Sequence, residues 1–246
     1  GIAGLRQYND PSYSPYDVYQ ELSGDDISFG ADFGIQLKPV EKVNIGVGYH
    51  SRITQECEGK ADYTKPAAVN AVMPAFFNDT TLNGKVTLPD MVMTAITYDI
   101  TDDLTIGLGA TYTSWSTYEE LKINLDAPIL PGKTTLKSEK DWSDVMRYTG
   151  GLSYKATDAV TLRASYTFDD SPFNKDHLDY IIPADTRHIL AVGAGYKTGN
   201  WVYDFSYFYE IIEDADVTPH VASGVYPGEF TDGIAHSVGL SVTRKF

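Results

Sequence analysis

Polar and apolar residues alternate one by one through Val160-Thr-Leu-Arg-Ala-Ser-Tyr-Thr-Phe168. Val160, Leu162, Ala164, Tyr166 and Phe168 fall on one side, and Thr161, Arg163, Ser165 and Thr167 on the other. Successive side chains of a strand point to opposite faces, so the segment predicts a strand with one apolar and one polar, charged face. The same code recurs along the chain. Ile27, Phe29, Ala31, Phe33, Ile35 and Leu37 oppose Ser28, Gly30, Asp32, Gly34 and Gln36; Val43, Ile45, Val47 and Tyr49 oppose Asn44, Gly46, Gly48, His50 and Arg52. Leu104 to Tyr112, Met146 to Tyr154, Leu190 to Tyr196, Trp201 to Tyr209 and Val238 to Val242 repeat it.

Other stretches lack this regularity. Gly1 to Asp26 carries Pro11, Pro15 and Gly24 and predicts a loop. Cys57 to Asn83 predicts a long irregular segment, with a short helix inside Ala67–Phe77 broken at Pro74. Gly84 to Ile100 predicts one strand bent at Leu88-Pro-Asp90. The strand from Leu104 is expected to run past Trp115 towards Leu125, and long loops are expected at Asp169–Asp185 and before Gly233.

The result is about nine strands whose connections alternate between short turns and long loops, four of each. A soluble sandwich also alternates, but has no reason to sort its connections by length. An antiparallel transmembrane β-barrel does, with short turns on one side of the membrane and long external loops on the other. Several segments reach the roughly ten residues that cross a bilayer at a tilt. The predicted fold is all-β, with the apolar face on lipid and the polar face on an enclosed lumen.

Composition sharpens this. The net charge of −15 leaves no basic stripe to neutralise phosphates, which excludes a nucleic-acid partner. Tyr, Phe and Trp make up 13% of the chain, and interfacial girdles, Trp115, Trp142 and Trp201 among them, would use them. Cys57 is the single cysteine, so no intrachain disulfide forms. His50, His177, His188, His220 and His236 are scattered, with no nucleophile elbow and no HExxH, so no enzyme and no cofactor is expected. Gly1-Ile-Ala-Gly-Leu-Arg6 does not read as a signal peptide. An odd strand count leaves two unpaired edges at lipid depth, so residues 27–246 are expected to be the C-terminal part of a larger barrel.

Five short motifs stand in order: Gly24-Asp-Asp26, Leu88-Pro-Asp90, Thr113-Ser-Trp-Ser116, Phe168-Asp-Asp-Ser-Pro172 and Ile182-Pro-Ala-Asp185 followed by Arg187. In order and spacing the chain resembles the long-chain fatty acid transporter family of outer-membrane proteins, which includes importers of aromatic hydrocarbons. The resemblance implies a 14-stranded barrel with an N-terminal hatch, passive uptake of a hydrophobic small molecule and sideways exit through the wall. The hatch and about five strands have no counterpart here. It also implies that Lys137-Ser-Glu139, or Lys140 in its place, lies near a ligand pocket, where an ammonium would hold a carboxylate head group; a solvated charge cluster is the alternative.

The apolar residues Met73, Phe76 and Phe77 are candidates for an external landing groove or for loop self-packing. The inward charges Asp32, Arg52, Arg147, Arg163, Asp204 and Glu210 are predicted to line the lumen, either as a polar route or as paired struts. Expected partners are outer-membrane lipid, lipopolysaccharide bridged by divalent ions to acidic loops, and the barrel assembly machinery through the C-terminal Phe246. A non-transporting structural or adhesin-like barrel shares the same strand code.

Overall fold

The computed structural model describes residues 16–178, 185–219 and 225–246. In chain order its strands are β1 (Tyr19–Asp25), β2 (Asp32–Val40), β3 (Val43–His50), β4 (Ile53–Thr64), β5 (Thr80–Leu88), β6 (Met91–Asp99), β7 (Leu104–Thr113) and β8 (Glu120–Leu125). Then follow β9 (Thr135–Glu139), β10 (Val145–Lys155), β11 (Val160–Asp169), β12 (Arg187–Thr198), β13 (Trp201–Ile212), β14 (Ala215–Val217), β15 (Gly228–Phe230) and β16 (Gly233–Arg244). One short helix, α1 (Ala67–Val72), stands between β4 and β5 among the described residues.

The chain divides into two units. The larger holds Gly30–Arg52, Pro89–Thr117 and Lys140–Phe246. Its nine strands form one antiparallel sheet in the order β16-β13-β12-β11-β10-β7-β6-β3-β2, which leaves β16 and β2 as edges. Every neighbour is the next sheet strand along the chain. The turns at 41–42, 100–103, 156–159 and 199–200 alternate with the long connections 51–90, 114–144, 170–186 and 213–232. The strands are 8 to 12 residues long, the length a tilted strand needs to cross a bilayer.

Register fixes the faces. Tyr154, Leu162, Ala194 and Phe205 form one row across neighbouring strands, and Leu240 extends it. Leu162 is 45% exposed, Phe205 44% and Leu240 81%. No residue of this row is buried. With no described residue covering them, these apolar side chains gain only when the surrounding medium is itself hydrocarbon. This is a wall of a transmembrane β-barrel, apolar side to lipid.

The smaller unit takes its described strands from Gly1–Phe29, Ile53–Leu88 and Tyr118–Glu139, in the sheet order β1-β4-β5-β8-β9. Register places Leu22, Ala61, Leu82, Leu125 and Leu136 on one face and Glu21, Lys60, Lys85, Lys122 and Lys137 on the other. Ala61, Leu82, Leu125 and Ile129 make a conventional buried cluster, with Leu22, Tyr63, Phe77, Ile123 and Leu136 packed on it. Here the apolar face is covered by protein.

The second sheet corrects several expectations. Residues 19–25 are strand, not loop: β1 pairs with β4 from Tyr19↔Thr64 to Asp25↔Glu58, satisfying backbone groups that a loop would leave to water. The prolines at positions 11 and 15 lie outside the described residues. The first sheet strand begins at Asp32 rather than Ile27. Cys57 to Asn83 is mostly ordered, because β4 runs to Thr64 and β5 starts at Thr80; α1 stands where the sequence predicts a short helix. Gly84 to Ile100 is two strands in two sheets. Pro89 lacks an N–H for a ladder, and the chain changes sheets there. Likewise β7 ends at Thr113, a 3-10 turn covers Trp115–Thr117, and β8 joins the smaller sheet. The connection before Gly233 carries the β14–β15 hairpin.

Candidate functional site

The polar face of the large sheet carries its charges at two levels. Strand β11 rises from the short turn 156–159 to the long connection at 170, so Asp169 is at its outer end. Asp169 is 4% exposed and accepts from two guanidiniums, Arg147 on β10 at 2.7 Å and Arg187 on β12 at 2.9 Å. Arg187 also lies 3.7 Å from Glu210 on β13. Nearer the short turns, Arg163 pairs with Asp204 at 2.9 Å. Between the levels a hollow of about 640 Å³ is lined by Gly151, Ser165, Ala191, Gly193 and Ser206, with Arg163 and Asp204 in its wall. Small side chains there keep the face open and hydrogen-bonding, while each charge is neutralised by a neighbour.

Near the other edge, His50 Nδ1 and Asp32 Oδ1 are 2.7 Å apart. Just past β3, Arg52 donates to Asp90 Oδ1 at 2.9 Å, and the Ser114 hydroxyl donates to the same carboxylate. Asp90 lies outside the strands, in the link between β5 and β6. The Ser114 hydroxyl first, and then Arg52, hold its carboxyl below the usual range. Asp144 is held low as well, chiefly by the Tyr112 hydroxyl at 2.5 Å and by the Ser116 amide at 2.9 Å.

All six residues expected to line the lumen are therefore paired, five of them at or near polar-face strand positions and Arg52 just beyond β3. Sequence reasoning misses two members of the network. Asp169 falls in a predicted loop, yet the odd-numbered polar series 161, 163, 165 and 167 simply continues to it. Arg187 stands in a motif, with nothing in the sequence to mark it as a partner of Asp169 and Glu210. What hides the network is that pairing across strands depends on register.

Trp142 is a buried ring rather than a girdle residue. Trp142 is 8% exposed, packed edge-on against Trp115 at 4.9 Å and against Phe173 at 4.6 Å. Both tryptophans lie beyond strand ends, in edge-to-face ring contact. Trp201 does sit at a boundary: it is 40% exposed near the short turns, stacks on Tyr203 and carries the Arg244 guanidinium 5.3 Å above its ring. Arg244 also lies over the ring of Phe246 at 5.0 Å.

In the smaller unit, Lys137 projects from the charged face of β9 and donates to Glu120 at 2.8 Å and Glu139 at 3.0 Å. These carboxylates, Glu120 first, push its pKa up to about 12. Lys140, three residues on and in the larger unit, is 4% exposed. Phe77 turns inward, edge-on to Tyr63 at 5.9 Å, with a left-handed backbone (φ 51°) held by that packing. Met73 and Phe76 are half-buried, and Lys65 donates to the Phe76 carbonyl at 2.9 Å. Val72, at the end of α1, is 73% exposed. Residues 182–184 of the fifth motif and His220 lie outside the described residues. Among the described residues, no three His, Cys, Asp or Glu side chains converge as metal ligands.

Comparison with known proteins agrees with this architecture. The family model described as "Outer membrane protein transport protein (OMPP1/FadL/TodX)" matches residues 5–246. The 47 kDa outer membrane protein of Pasteurella multocida is 29% identical over 186 residues, covering 73% of this chain and 42% of the relative. The long-chain fatty acid transport protein of Salmonella typhi is 27% identical over 180 residues, covering 71% and 40%. The crystal structure of a Pseudomonas aeruginosa FadL homologue superposes with a TM-score of 0.74 at 20% identity, over 92% of this chain and 53% of that one. The Ralstonia pickettii toluene transporter TbuX gives 0.61 at 14% identity, over 92% and 49%. The chain thus spans between two fifths and about half of these relatives. With a nine-stranded antiparallel wall, a lipid-facing apolar side and a family match over nearly its whole length, the chain belongs to the FadL/TodX family of bacterial outer-membrane transport proteins.

Proposed function

We propose that the protein carries hydrophobic small molecules, long-chain fatty acids foremost, passively across the outer membrane, and that this chain supplies the C-terminal part of its barrel wall. The observation that carries the reading is the charge arrangement on the polar face. Three cations (Arg147, Arg163, Arg187) and three anions (Asp169, Asp204, Glu210) close on one another, leaving no excess field to select ions. Such a wall is rigid and wettable, suited to enclosing a passage whose cargo binds elsewhere by apolar contact. External loops would capture the ligand, an apolar pocket would receive it, and it would leave into the bilayer.

Within this reading either lysine is a candidate carboxylate anchor: Lys140 is 4% exposed, and Lys137 is half-exposed and donates to Glu120 and Glu139. An aromatic hydrocarbon is the second cargo class, supported by the fold likeness to a protein described as a toluene transporter. Mass spectrometry of ligand co-purifying with the full-length protein tests both. Recovery of fatty acid, with uptake lost in Lys137→Ala/Lys140→Ala, is the expected result. Recovery of lipopolysaccharide alone, with uptake unchanged on deleting the protein, would favour a structural barrel instead.

A further inference from the structure

Three lysines stand in one line across the charged face of the smaller sheet. Register pairs Lys85 of β5 with Lys122 of β8, and Lys122 with Lys137 of β9; Glu56 of β4 closes the row opposite Lys85. At the usual interstrand spacing the three lysine Cα atoms span roughly 10 Å. Lysine is a poor strand former, and like charges directly opposite on adjacent strands destabilise a sheet. The ends of the row are neutralised and its centre is not. Lys85 lies 2.7 Å from Glu56, and Lys137 holds Glu120 and Glu139 at 2.8 and 3.0 Å. Lys122, exposed between the two, makes no ion pair and no side-chain hydrogen bond with any described residue.

The positions beside the row form hydrogen bonds. Asn83, Asn124 and Thr135 line up next to the lysines on the same three strands. The Asn124 amide donates to Asn83 Oδ1 at 3.0 Å, and the Thr135 hydroxyl donates to Asn124 Oδ1 at 3.3 Å. On the other side of Lys85 and Glu56, the Thr54 and Thr87 hydroxyls are 3.3 Å apart. The large apolar side chains of these strands are on the opposite face, in the cluster around Leu82 and Leu125. An acyl chain has no trough beside these ammoniums, whereas the hydroxyls of a sugar find amide and hydroxyl partners.

We infer that Lys85, Lys122 and Lys137 form a site for the phosphate of a water-soluble phosphorylated saccharide, centred on Lys122, with Asn83 and Asn124 meeting the sugar hydroxyls. A phosphate monoester carries close to two negative charges at neutral pH and three acceptor oxygens. One such group answers the unpaired charge of Lys122 and still reaches the lysines on both sides, in charge-assisted hydrogen bonds. A carboxylate, with one charge and two oxygens, answers only the first. The site works independently of the hydrophobic cargo.

Calorimetric titration of the full-length protein, in nanodiscs of phosphatidylcholine, with glucose 6-phosphate and with glucose tests the site. The expected result is that the phosphate ester binds and glucose does not. Lys122→Gln should weaken that binding about tenfold and Lys122→Arg should largely preserve it, since the charge is kept. Lys133→Gln, which removes an exposed lysine from the β8–β9 connection outside the row, should leave it unchanged. Lys122→Gln should also raise the melting midpoint of the unliganded protein, because it relieves repulsion within the row. Absence of glucose 6-phosphate binding, equal losses in Lys122→Gln and Lys133→Gln, affinity for inorganic phosphate equal to that for the sugar phosphate, or a lowered midpoint in Lys122→Gln would each overturn the assignment.

Discussion

Arg163 of β11 reaches over the intervening strand β12 to Asp204 of β13, with Nη1 2.9 Å from Oδ1. Gly195 makes room for this. A Cβ there would lie 2.7 Å from Asp204 Oδ1 and 3.2 Å from Arg163 Nη1. Gly195→Ala should therefore displace the pair, at a cost of about 1 kcal/mol, since both groups are partly solvated and the atoms that must yield are side-chain ends. Heat-modification midpoints of the full-length protein in detergent, for Gly195→Ala, Asp204→Asn and the double variant, check it. Additive effects would mean that the pair is not seated on Gly195.

Asp169 depends on two guanidiniums, and Arg187 serves Glu210 as well. Arg187→Ala should destabilise more than Arg147→Ala, by about 1–3 kcal/mol against the lower end of that range. The first leaves two acidic groups short of a cation and the second leaves one. Urea unfolding in lipid vesicles measures the order. Equal losses would show that the Glu210 contact at 3.7 Å contributes nothing.

Asp90 gives a pH signature. Its carboxyl is held low by Ser114 and Arg52, so its folded value lies below its unfolded one. The stability it supplies is fully present above the ordinary carboxylate range near pH 4 and disappears as pH falls through the lower folded value. Asp90→Asn should lower the melting temperature at pH 6 and converge with the wild type in strong acid. A constant gap across that range would rule out titration of Asp90.

Lys137 stays charged up to about pH 12, by the effect of Glu120 and Glu139. Its contribution to stability is complete below the ordinary lysine value and fades only as pH rises through that higher one. Glu120→Gln/Glu139→Gln frees the ammonium. If Lys137 can anchor a carboxylate, affinity for a fatty acid should rise in this variant while affinity for toluene stays level. Isothermal titration with both ligands separates the two.

The two faces can be told apart by neighbours on one strand. Ala164→Arg puts a charge among lipid-facing residues near mid-strand and should cost about 2–4 kcal/mol. Ser165→Arg puts it into the hollow of the polar face and should cost little. Refolding yields into vesicles compare them. The reverse order would mean that the polar side of the sheet, not the apolar one, meets lipid.

The one-residue alternation of Val160–Phe168 and its repeats is a local property, so the chain order alone determined most strands of the large sheet, their two faces and the alternation of short and long connections. A tilted strand in lipid has little freedom beyond that pattern. Tertiary structure decided what depends on partners distant in sequence. That β5 and β6 belong to different sheets across Pro89, that Tyr19–Asp25 finds β4, that Trp142 packs edge-on against Trp115 and Phe173, and that Asp169 gathers Arg147 and Arg187 all follow from register and from contacts between loops. The smaller sheet shows why: its alternation is written in the same letters as the wall's. Only the protein packed against Ala61 and Leu82 distinguishes a face covered by its own chain from one left for lipid.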